Sequence, residues 1–237
     1  MSALLTLANV TAGYGSQPVL HDVSLTIAEG GVTAIIGPNG HGKTTLLRAI
    51  SGLLPLRSGR ISLGGLALND LRADEIVDAG IVHVPQGDML FPEMTVLENL
   101  LMGAYLPAAA AESGRRLEQV FALLPKLRDR RGQVASTLSG GERRMVGIGR
   151  GLMGGGRLLM LDEPSLGLAP IVIDQIYEVI GELTAAGHSI LVVEENAARV
   201  SDKAVLIALL DNGQLVWSGQ GAELMARPEI LETYLGA

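Results

Sequence analysis

Gly37-Pro38-Asn39-Gly40-His41-Gly42-Lys43-Thr44 decides the fold. This segment fits the phosphate-binding pattern G-x-x-x-x-G-K-[ST], and it lies between a short apolar run, residues 32–36, and a helical pattern over residues 43–50. In that order, backbone N–H groups of the loop can surround phosphates at the N-terminal end of the helix. Lys43 is expected to reach the β- and γ-phosphates, and the Thr44 hydroxyl to ligate Mg²⁺. The sequence therefore predicts a nucleoside triphosphate site with Mg²⁺.

The predicted phosphate-binding segment extends one residue into the helix. Its members are Gly37, Pro38, Asn39, Gly40, His41, Gly42, Lys43, Thr44 and Thr45. His41 lies inside this loop, and its imidazole could donate a hydrogen bond near the phosphates or point to solvent. The solvent position is the favoured prediction.

A second segment supplies two carboxylates. Leu158-Leu159-Met160-Leu161 has the pattern of a buried strand, and Asp162 and Glu163 follow it directly. Ligands of open α/β sheets bind at the carboxyl ends of the strands, so we expect both side chains to face the triphosphate. Asp162 would hold Mg²⁺ through water, and Glu163 would be the general base that polarises the attacking water. An acidic pair that merely faces solvent is the alternative.

Composition narrows the class of protein. The chain has 237 residues, enough for one α/β domain, and a formal net charge of −7, which argues against a nucleic-acid partner. With 0 cysteines, disulfides and cysteine-bound metals are excluded. Hydrophobic residues make up 48% of the chain, but no apolar run approaches the roughly 20 residues of a membrane-spanning helix. Residues 1–10 read as a first strand rather than a signal peptide, which predicts a cytoplasmic protein.

The apolar patterns predict one α/β domain over residues 1–237. Strands are expected over residues 4–10, 19–27, 32–36, 61–63, 81–84, 158–161, 190–193 and 204–210. The first two form an antiparallel pair around a turn-rich segment, residues 11–18, and the others are further strand candidates. A helical subdomain over about residues 88–155 is inserted in the α/β core. The glycine triplet at residues 154–156 is expected to end a helix or form a loop.

Ser139-Gly140-Gly141-Glu142 identifies the family that this chain resembles, the ATP-binding subunits of ABC transporters. Other phosphate-loop enzymes lack this signature. The resemblance implies an ABC-type ATPase domain with a mixed central sheet, an N-terminal antiparallel β portion and a helical subdomain. The resemblance implies that Ser139, Gly140 and Gly141 do not contact the chain's own nucleotide. Instead they cap the γ-phosphate bound by a second ATPase subunit, with N–H groups at a helix N-terminus. An ordinary glycine-rich helix cap is the alternative.

The resemblance assigns roles to further residues. Tyr14 matches the aromatic residue that stacks on adenine; an exposed turn tyrosine is the alternative. Gln86 matches the glutamine that contacts Mg²⁺ and the attacking water and transmits the nucleotide state to membrane subunits; a plain strand-end glutamine is the alternative. Residues 165–168 match the loop that crosses the dimer interface. The expected catalytic set is Glu163, Gln86 and Lys43, and the expected metal set is Thr44, Gln86 and Asp162.

Several phrases resemble one branch of the family, the ATPases of branched-chain amino-acid importers. They are residues 161–170, residues 193–197 and the C-terminal Tyr234-Leu235-Gly236. Importers of urea and short amides share much of this wording. The resemblance implies a peripheral protein on the cytoplasmic face of the inner membrane. It also implies a second ATPase subunit, identical or different, separate transmembrane permease subunits and, indirectly, a substrate-binding protein.

The pattern departs from the family at Glu195. Most members carry a histidine there that contacts the γ-phosphate, and a carboxylate beside a phosphate should be repelled. Either this site is weak and the chain completes a partner's stronger site, or this branch works without the histidine because Glu163 is the base. The second explanation is the favoured prediction. Two rival functions remain: a degenerate subunit that binds ATP without hydrolysing it, and a soluble ABC ATPase of DNA repair or translation.

Overall fold

Two β-sheets form the framework that positions the phosphate-binding loop. The computed structural model describes residues 2–87 and 89–235; Asp88, where the predicted helical subdomain begins, and Gly236 lie outside them. The strands are β1 (Ala3–Tyr14), β2 (Gln17–Ala28), β3 (Gly31–Ile36), β4 (Leu56–Leu63), β5 (Leu66–Ala67), β6 (Ile81–Val84), β7 (Leu158–Asp162), β8 (Ser189–Glu194), β9 (Ala204–Asp211) and β10 (Gln214–Gly219).

Helices cover the central sheet and fill the segment between β6 and β7. They are α1 (Lys43–Ile50), α2 (Ala73–Ala79), α3 (Val96–Leu101), α4 (Pro107–Ala111), α5 (Ser113–Leu123), α6 (Pro125–Asp129), α7 (Gly140–Met153), α8 (Pro170–Ala185), α9 (Gly221–Met225) and α10 (Pro228–Ile230). Within residues 2–87 and 89–235, no helix combines the length and the apolar character needed to span a membrane.

The central sheet is mixed, as the resemblance implies. Its strand order is β10-β9-β3-β8-β7-β6; β9 and β10 are antiparallel and the other neighbours are parallel. The register pairs Ile36 with Glu194, Asp162 with Val193 and Val84 with Leu161. The carboxyl ends of β3, β6, β7 and β8 therefore meet at one edge, where the segments that follow these strands come together.

The second sheet is antiparallel, with strand order β2-β1-β4-β5. The predicted pairing of the first two strands is confirmed, but the turn between them is shorter than the expected residues 11–18. Tyr14 pairs with Gln17, so the strands continue almost to the turn. The reason is Gly13, where a Cβ would lie 2.2 Å from the Gln17 carbonyl oxygen. A side chain there would hold the two strands apart.

The central sheet is buried on both faces, and alternate residues of each strand enter different clusters. In β8, Ile190 and Val192 pack with the helices between β6 and β7, whereas Leu191 and Val193 pack with α1 and the antiparallel sheet. This explains why the strand patterns are continuously apolar rather than alternating. The core on each side holds the edge of the sheet in place.

The segment between β6 and β7 is helical, and α7 is its central element. A Cβ at Gly149 would lie 2.8 Å from Leu100 Cδ2, so the glycine lets α3 approach α7 closely. Helix α7 ends at Met153, and the glycine triplet follows it. The prediction that this triplet marks a helix end is confirmed.

Candidate functional site

The phosphate-binding loop connects β3 to α1 at the edge where the strands end. A Cβ at Gly37 would lie 2.1 Å from the Leu210 carbonyl oxygen of β9, so no side chain fits there. Gly40 and Gly42 have φ angles of 83° and 105°, in the region that favours glycine. The loop therefore needs its glycines for two reasons, close packing against β9 and left-handed backbone conformation.

Lys43, the first residue of α1, turns back into the loop. Its side chain is buried, and Nζ donates hydrogen bonds to the carbonyl oxygens of Gly37 (2.7 Å) and Pro38 (3.0 Å). Nζ also lies 3.4 Å from Glu163 Oε1. The ammonium group is thus placed between the loop and the carboxylate that follows β7. Thr45, the other predicted member of this helix start, is buried.

Asp162 and Thr44 form the next contact. Thr44 Oγ1 donates to Asp162 Oδ1 at 3.2 Å, which joins the phosphate-binding loop to β7 across the edge of the sheet. Asp162 is only 1% exposed, and within the described residues its Oδ2 has no hydrogen-bond partner. Burial, followed by the neighbouring charge of Glu163, raises the pKa of Asp162. An unpaired, buried carboxylate oxygen beside a hydroxyl is a suitable ligand for a cation.

Glu163 is held in an unusual backbone conformation. Its φ angle is 45°, and its N–H donates to the Val193 carbonyl oxygen at 3.0 Å. The side chain is 6% exposed, with Oε1 near Lys43 and Oε2 accepting a hydrogen bond from Gln86 Nε2 at 2.9 Å. The structure therefore brings together the three residues predicted as catalytic, although 77 positions separate Gln86 from Glu163.

Glu195 also reaches the loop. Its Oε2 accepts a hydrogen bond from Asn39 Nδ2 at 3.1 Å, and both residues are exposed. The pairing of β3 with β8 places these two chain segments side by side. The carboxylate at the unusual position thus has a neutral amide as its partner within the phosphate-binding loop.

The favoured prediction for His41, a side chain that points to solvent, is wrong. Its Nδ1 lies 2.8 Å from Asp211 Oδ1, and its carbonyl oxygen accepts from the Gly213 N–H at 3.0 Å. The backbone N–H of Asn212 also lies within hydrogen-bond distance of His41 Nδ1, at 3.2 Å. The prediction is corrected because β9 ends beside the loop, which brings an acidic partner within reach of the imidazole.

Tyr14 lies at the end of β1, with about half of its surface exposed. Its hydroxyl oxygen accepts a hydrogen bond from Arg48 Nη1 of α1 at 3.1 Å. The ring is therefore positioned beside the helix that begins with the phosphate-binding loop. An exposed aromatic face at this point can stack on a planar base.

Ser139, Gly140 and Gly141 form the start of α7. Ser139 caps the helix: its Oγ accepts from the Glu142 N–H at 3.4 Å, and the Glu142 carboxylate accepts from the Ser139 N–H at 2.9 Å and from Oγ–H at 2.7 Å. These hydrogen bonds lower the pKa of Glu142. In the part of the chain that the structure describes, no hydrogen bond joins residues 139–141 to residues 37–45.

The sequence interpretation missed one buried group, Glu194. This carboxylate ends β8 and is 1% exposed, whereas the prediction at this point of the sequence concerns its exposed neighbour, Glu195. A signal was available, because Glu194 continues an otherwise apolar buried run, and a charge in that position requires partners. The partners themselves come from distant segments and have no pattern in the sequence.

Known proteins are similar to this chain over nearly its whole length. A family profile described as ABC transporter matches residues 20–166. The chain is 40% identical to the high-affinity branched-chain amino acid transport ATP-binding protein BraG of Pseudomonas aeruginosa, over 98% of this chain and 100% of the relative. It is 34% identical to a probable branched-chain amino acid transport ATP-binding protein, LivF, of Archaeoglobus fulgidus, over 98% and 99% of the two chains.

Solved structures show the same architecture. An ATP-binding cassette of an ABC transporter in its ADP conformation matches with a TM-score of 0.87 and 31% identity, over 98% of both chains. A dimeric ATP-binding cassette in a post-hydrolysis state, bound to ADP and Pi, matches with a TM-score of 0.78 and 25% identity, over 92% of this chain and 98% of that one.

Proposed function

The chain belongs to the ABC transporter family as an ATP-hydrolysing subunit, and we propose that it powers an importer of branched-chain or related amino acids. The observation that carries the proposal is the contact of Glu163 with both Lys43 and Gln86 at the mouth of the phosphate-binding loop. This contact joins the residues that we assign to phosphate binding and to water activation at one edge of the central sheet.

We assign hydrolysis to this group. Lys43 neutralises charge on the β- and γ-phosphates, because its ammonium group is fixed at the loop by two carbonyl oxygens. Glu163 takes the proton of the attacking water as general base, and Gln86 orients the Glu163 carboxylate through the bond to Oε2. The left-handed backbone of Glu163 supports this role, since strained conformations cluster at functional sites.

The residues also fit Mg²⁺. Thr44 Oγ1 and the unpaired Oδ2 of Asp162 are oxygen ligands of the kind that this ion prefers, and Gln86 contacts the next carboxylate in the chain, Glu163. When bound, the ion would neutralise negative charge on phosphate oxygens. The contribution of the chain is to hold these oxygen atoms at the end of β7 and the start of α1.

ABC ATPase cassettes form dimers, and we propose that residues 139–141 act across such a dimer. Their position at the N-terminus of α7 presents backbone N–H groups and the positive end of the helix to an anion. A Cβ at Gly141 would lie 2.5 Å from Val172 Cγ1, so this helix start also packs tightly on α8. Whether the second subunit is identical or a relative is decided by the experiment below.

Membrane permease subunits are the second class of partner. A groove of about 350 Å³ lies between β6 and the helical segment, and Phe91, Met102 and Tyr105 line it with exposed side chains. It begins directly before Gln86 in the chain, because Val84 and Pro85 are also lining residues. An apolar groove next to Gln86 suits a short helix of a permease, which supports a peripheral position of the chain on the cytoplasmic face of the inner membrane.

The transported solute is inferred from the relatives. BraG and LivF are named for branched-chain amino acid transport, and they match the chain almost from end to end. Urea and short amides are the second candidate class, because their importers share the motif phrases of this chain. Uptake of labelled leucine and labelled urea, compared in strains with and without the gene, separates the two; loss of urea uptake alone would refute the amino-acid assignment.

The first experiment measures ATP hydrolysis by the purified chain as a function of its own concentration. We expect activity to rise faster than linearly, because two subunits must associate, and to vanish in Glu163→Gln. Glu182→Gln, at an exposed glutamate of α8, is the matched control and should retain activity. Nucleotide binding without turnover at every concentration would refute hydrolysis by a homodimer and favour a degenerate or heterodimeric subunit.

Affinity purification from the native membrane tests the permease partner. We expect at least one multi-span protein to be recovered with the chain, and substitution of Tyr105 by Glu in the apolar groove to reduce that recovery. Recovery of soluble proteins alone would overturn the transport assignment and favour a soluble ABC ATPase.

A further inference from the structure

Glu194 carries a carboxylate that is buried inside the fold. It ends β8, and its side chain is almost completely inaccessible to solvent. Burying an ionised carboxylate is costly unless the group is paired and hydrogen-bonded. Its partners therefore show what the fold gains from placing a charge at this point.

The partners of Glu194 come from three separate segments. Oε1 accepts hydrogen bonds from the Tyr177 hydroxyl of α8 at 2.8 Å and from the Ser165 N–H at 3.3 Å. Oε2 lies 3.5 Å from Arg199 Nη1, and the same guanidinium nitrogen donates to Ser165 Oγ. Burial, followed by the adjacent charge of Glu194, raises the pKa of Tyr177, so the phenol stays a donor.

Ser165 is thus held twice, through its backbone N–H and through its side chain. It follows Glu163 by two positions and begins the loop of residues 165–168, whose next side chain, Leu166, is exposed. On one side this loop borders a cavity of about 430 Å³, which Arg199 and Met225 also line. Leu168, at the far end of the loop, packs against the core, whereas the beginning of the loop is held by these polar contacts at Ser165.

We propose that Glu194 is a positioning residue for the association of two subunits. It holds the loop of residues 165–168 in the conformation that presents Leu166 and Gly167 to the second subunit, and Arg199 completes this support. The inference deepens the proposed function, since it rests on closure of two copies around ATP. Among the described residues, the Glu194 side chain has no hydrogen bond or ion pair with the phosphate-binding loop or with Glu163, so its substitution should leave nucleotide binding by a single subunit intact.

The substitution Glu194→Gln tests this directly. The amide oxygen can still accept from Tyr177 and Ser165, but the amide NH₂ group then faces Arg199, donor against donor. Arg199 should move away and release Ser165 Oγ. Arg199→Met removes the same support from a residue that is one-third exposed, so it provides a second variant that the fold should tolerate. Tyr177→Phe is the matched control, because it removes one donor to Glu194 and leaves Ser165 held.

The measurement is ATP-driven dimerisation by sedimentation velocity, in the hydrolysis-deficient background Glu163→Gln. We expect Glu194→Gln and Arg199→Met each to weaken association by about tenfold or more, and the two together to be no worse than either alone. Tyr177→Phe should stay within about twofold of the parent. Binding of a fluorescent ATP analogue at protein concentrations below association should be unchanged in all four proteins.

Two results would overturn the inference in distinguishable ways. If the parent dimerises with ATP and Glu194→Gln dimerises equally well, Glu194 does not position the loop, while the proposed function stands. If the parent itself fails to dimerise at any concentration, closure of two identical subunits is refuted, and this inference fails with it. An equal loss of association in Tyr177→Phe would indicate that general destabilisation, rather than the support of Ser165, is responsible.

Discussion

His83 should make the folded protein sensitive to acid. The imidazole lies in β6, and its Nδ1 is 2.9 Å from Ser51 Oγ, whose own hydrogen is donated to the Leu47 carbonyl oxygen. His83 Nδ1 must therefore carry a proton, which leaves Nε2 unprotonated. Nε2 is buried and has no hydrogen-bond partner among the described residues. Protonation would place a charged imidazolium where nothing accepts its second hydrogen.

The size of the effect follows from the pKa. Burial, assisted by the positive charge of Arg48, lowers the pKa of His83 from 6.5 to about 4. The folded state then binds fewer protons than the unfolded state between these values, so the free energy of unfolding decreases as the pH falls through this window. Linkage gives a loss of about 2 kcal/mol between about pH 8 and about pH 5, and about 3 kcal/mol below pH ~4.

The assay is reversible urea unfolding, followed by the fluorescence of Trp217, the single tryptophan of the sequence. Other groups also titrate, so the informative quantity is the difference between the wild type and His83→Asn at each pH. The asparagine amide can donate to Ser51 in place of Nδ1 and does not titrate. We expect His83→Asn to lose about 2 kcal/mol less than the wild type between about pH 8 and about pH 5.

Ser51→Ala is the matched control. It removes the partner of Nδ1 but leaves the ring free to titrate, so its pH dependence should remain like that of the wild type, at a lower overall stability. Parallel curves for the wild type and His83→Asn would refute the reasoning, because they would mean that the ring is protonated equally easily in the folded and unfolded chain.

Three further predictions concern the nucleotide site. Gly37→Ala should abolish ATP binding in a fluorescence titration, since its Cβ would overlap the Leu210 carbonyl oxygen; binding within twofold of the wild type would contradict this. Tyr14→Ala should weaken ATP binding by roughly 5- to 150-fold, the value of about 1–3 kcal/mol for stacking on a base, whereas Tyr14→Phe should retain most of it. His41→Ser should raise the KM for ATP several-fold with little change in kcat, and Asp211→Asn should do the same; opposite effects of the two would exclude a shared contact.

The strand, loop and helix at residues 31–50 could be predicted because their signals are local. Three signals lie within 20 positions: an apolar run, a glycine pattern and a helical pattern. Each of them can be identified from its own residues. Strand β10 is not among the predicted strands, and its residues Leu215, Val216 and Trp217 form only a short apolar run. Asn212 and Gly213, the hairpin turn before β10, are the pattern that would have predicted this strand.

The contacts within the site could be predicted only in part. In a parallel sheet the strand ends meet at one edge, so the loop is expected to lie close to Asp162 and Glu163. The structure confirms this proximity. The pairing of His41 with Asp211 could not be inferred in this way. It depends on the order in which β9 lies beside β3, and strand order is not encoded in any single segment.

The contact between Glu195 and Asn39 bears on how the site works without the usual histidine. Asn39 Nδ2 donates to its carboxylate, so the negative charge has a hydrogen bond within the loop, while Lys43 and Gln86 contact Glu163 instead. This division favours Glu163 as the base and a site that works without the usual histidine. Glu195→Gln keeps an oxygen for Asn39 and should change kcat/KM for ATP by less than about threefold. An increase of more than about tenfold, or 1.4 kcal/mol, would show instead that the charge of Glu195 attenuates the site.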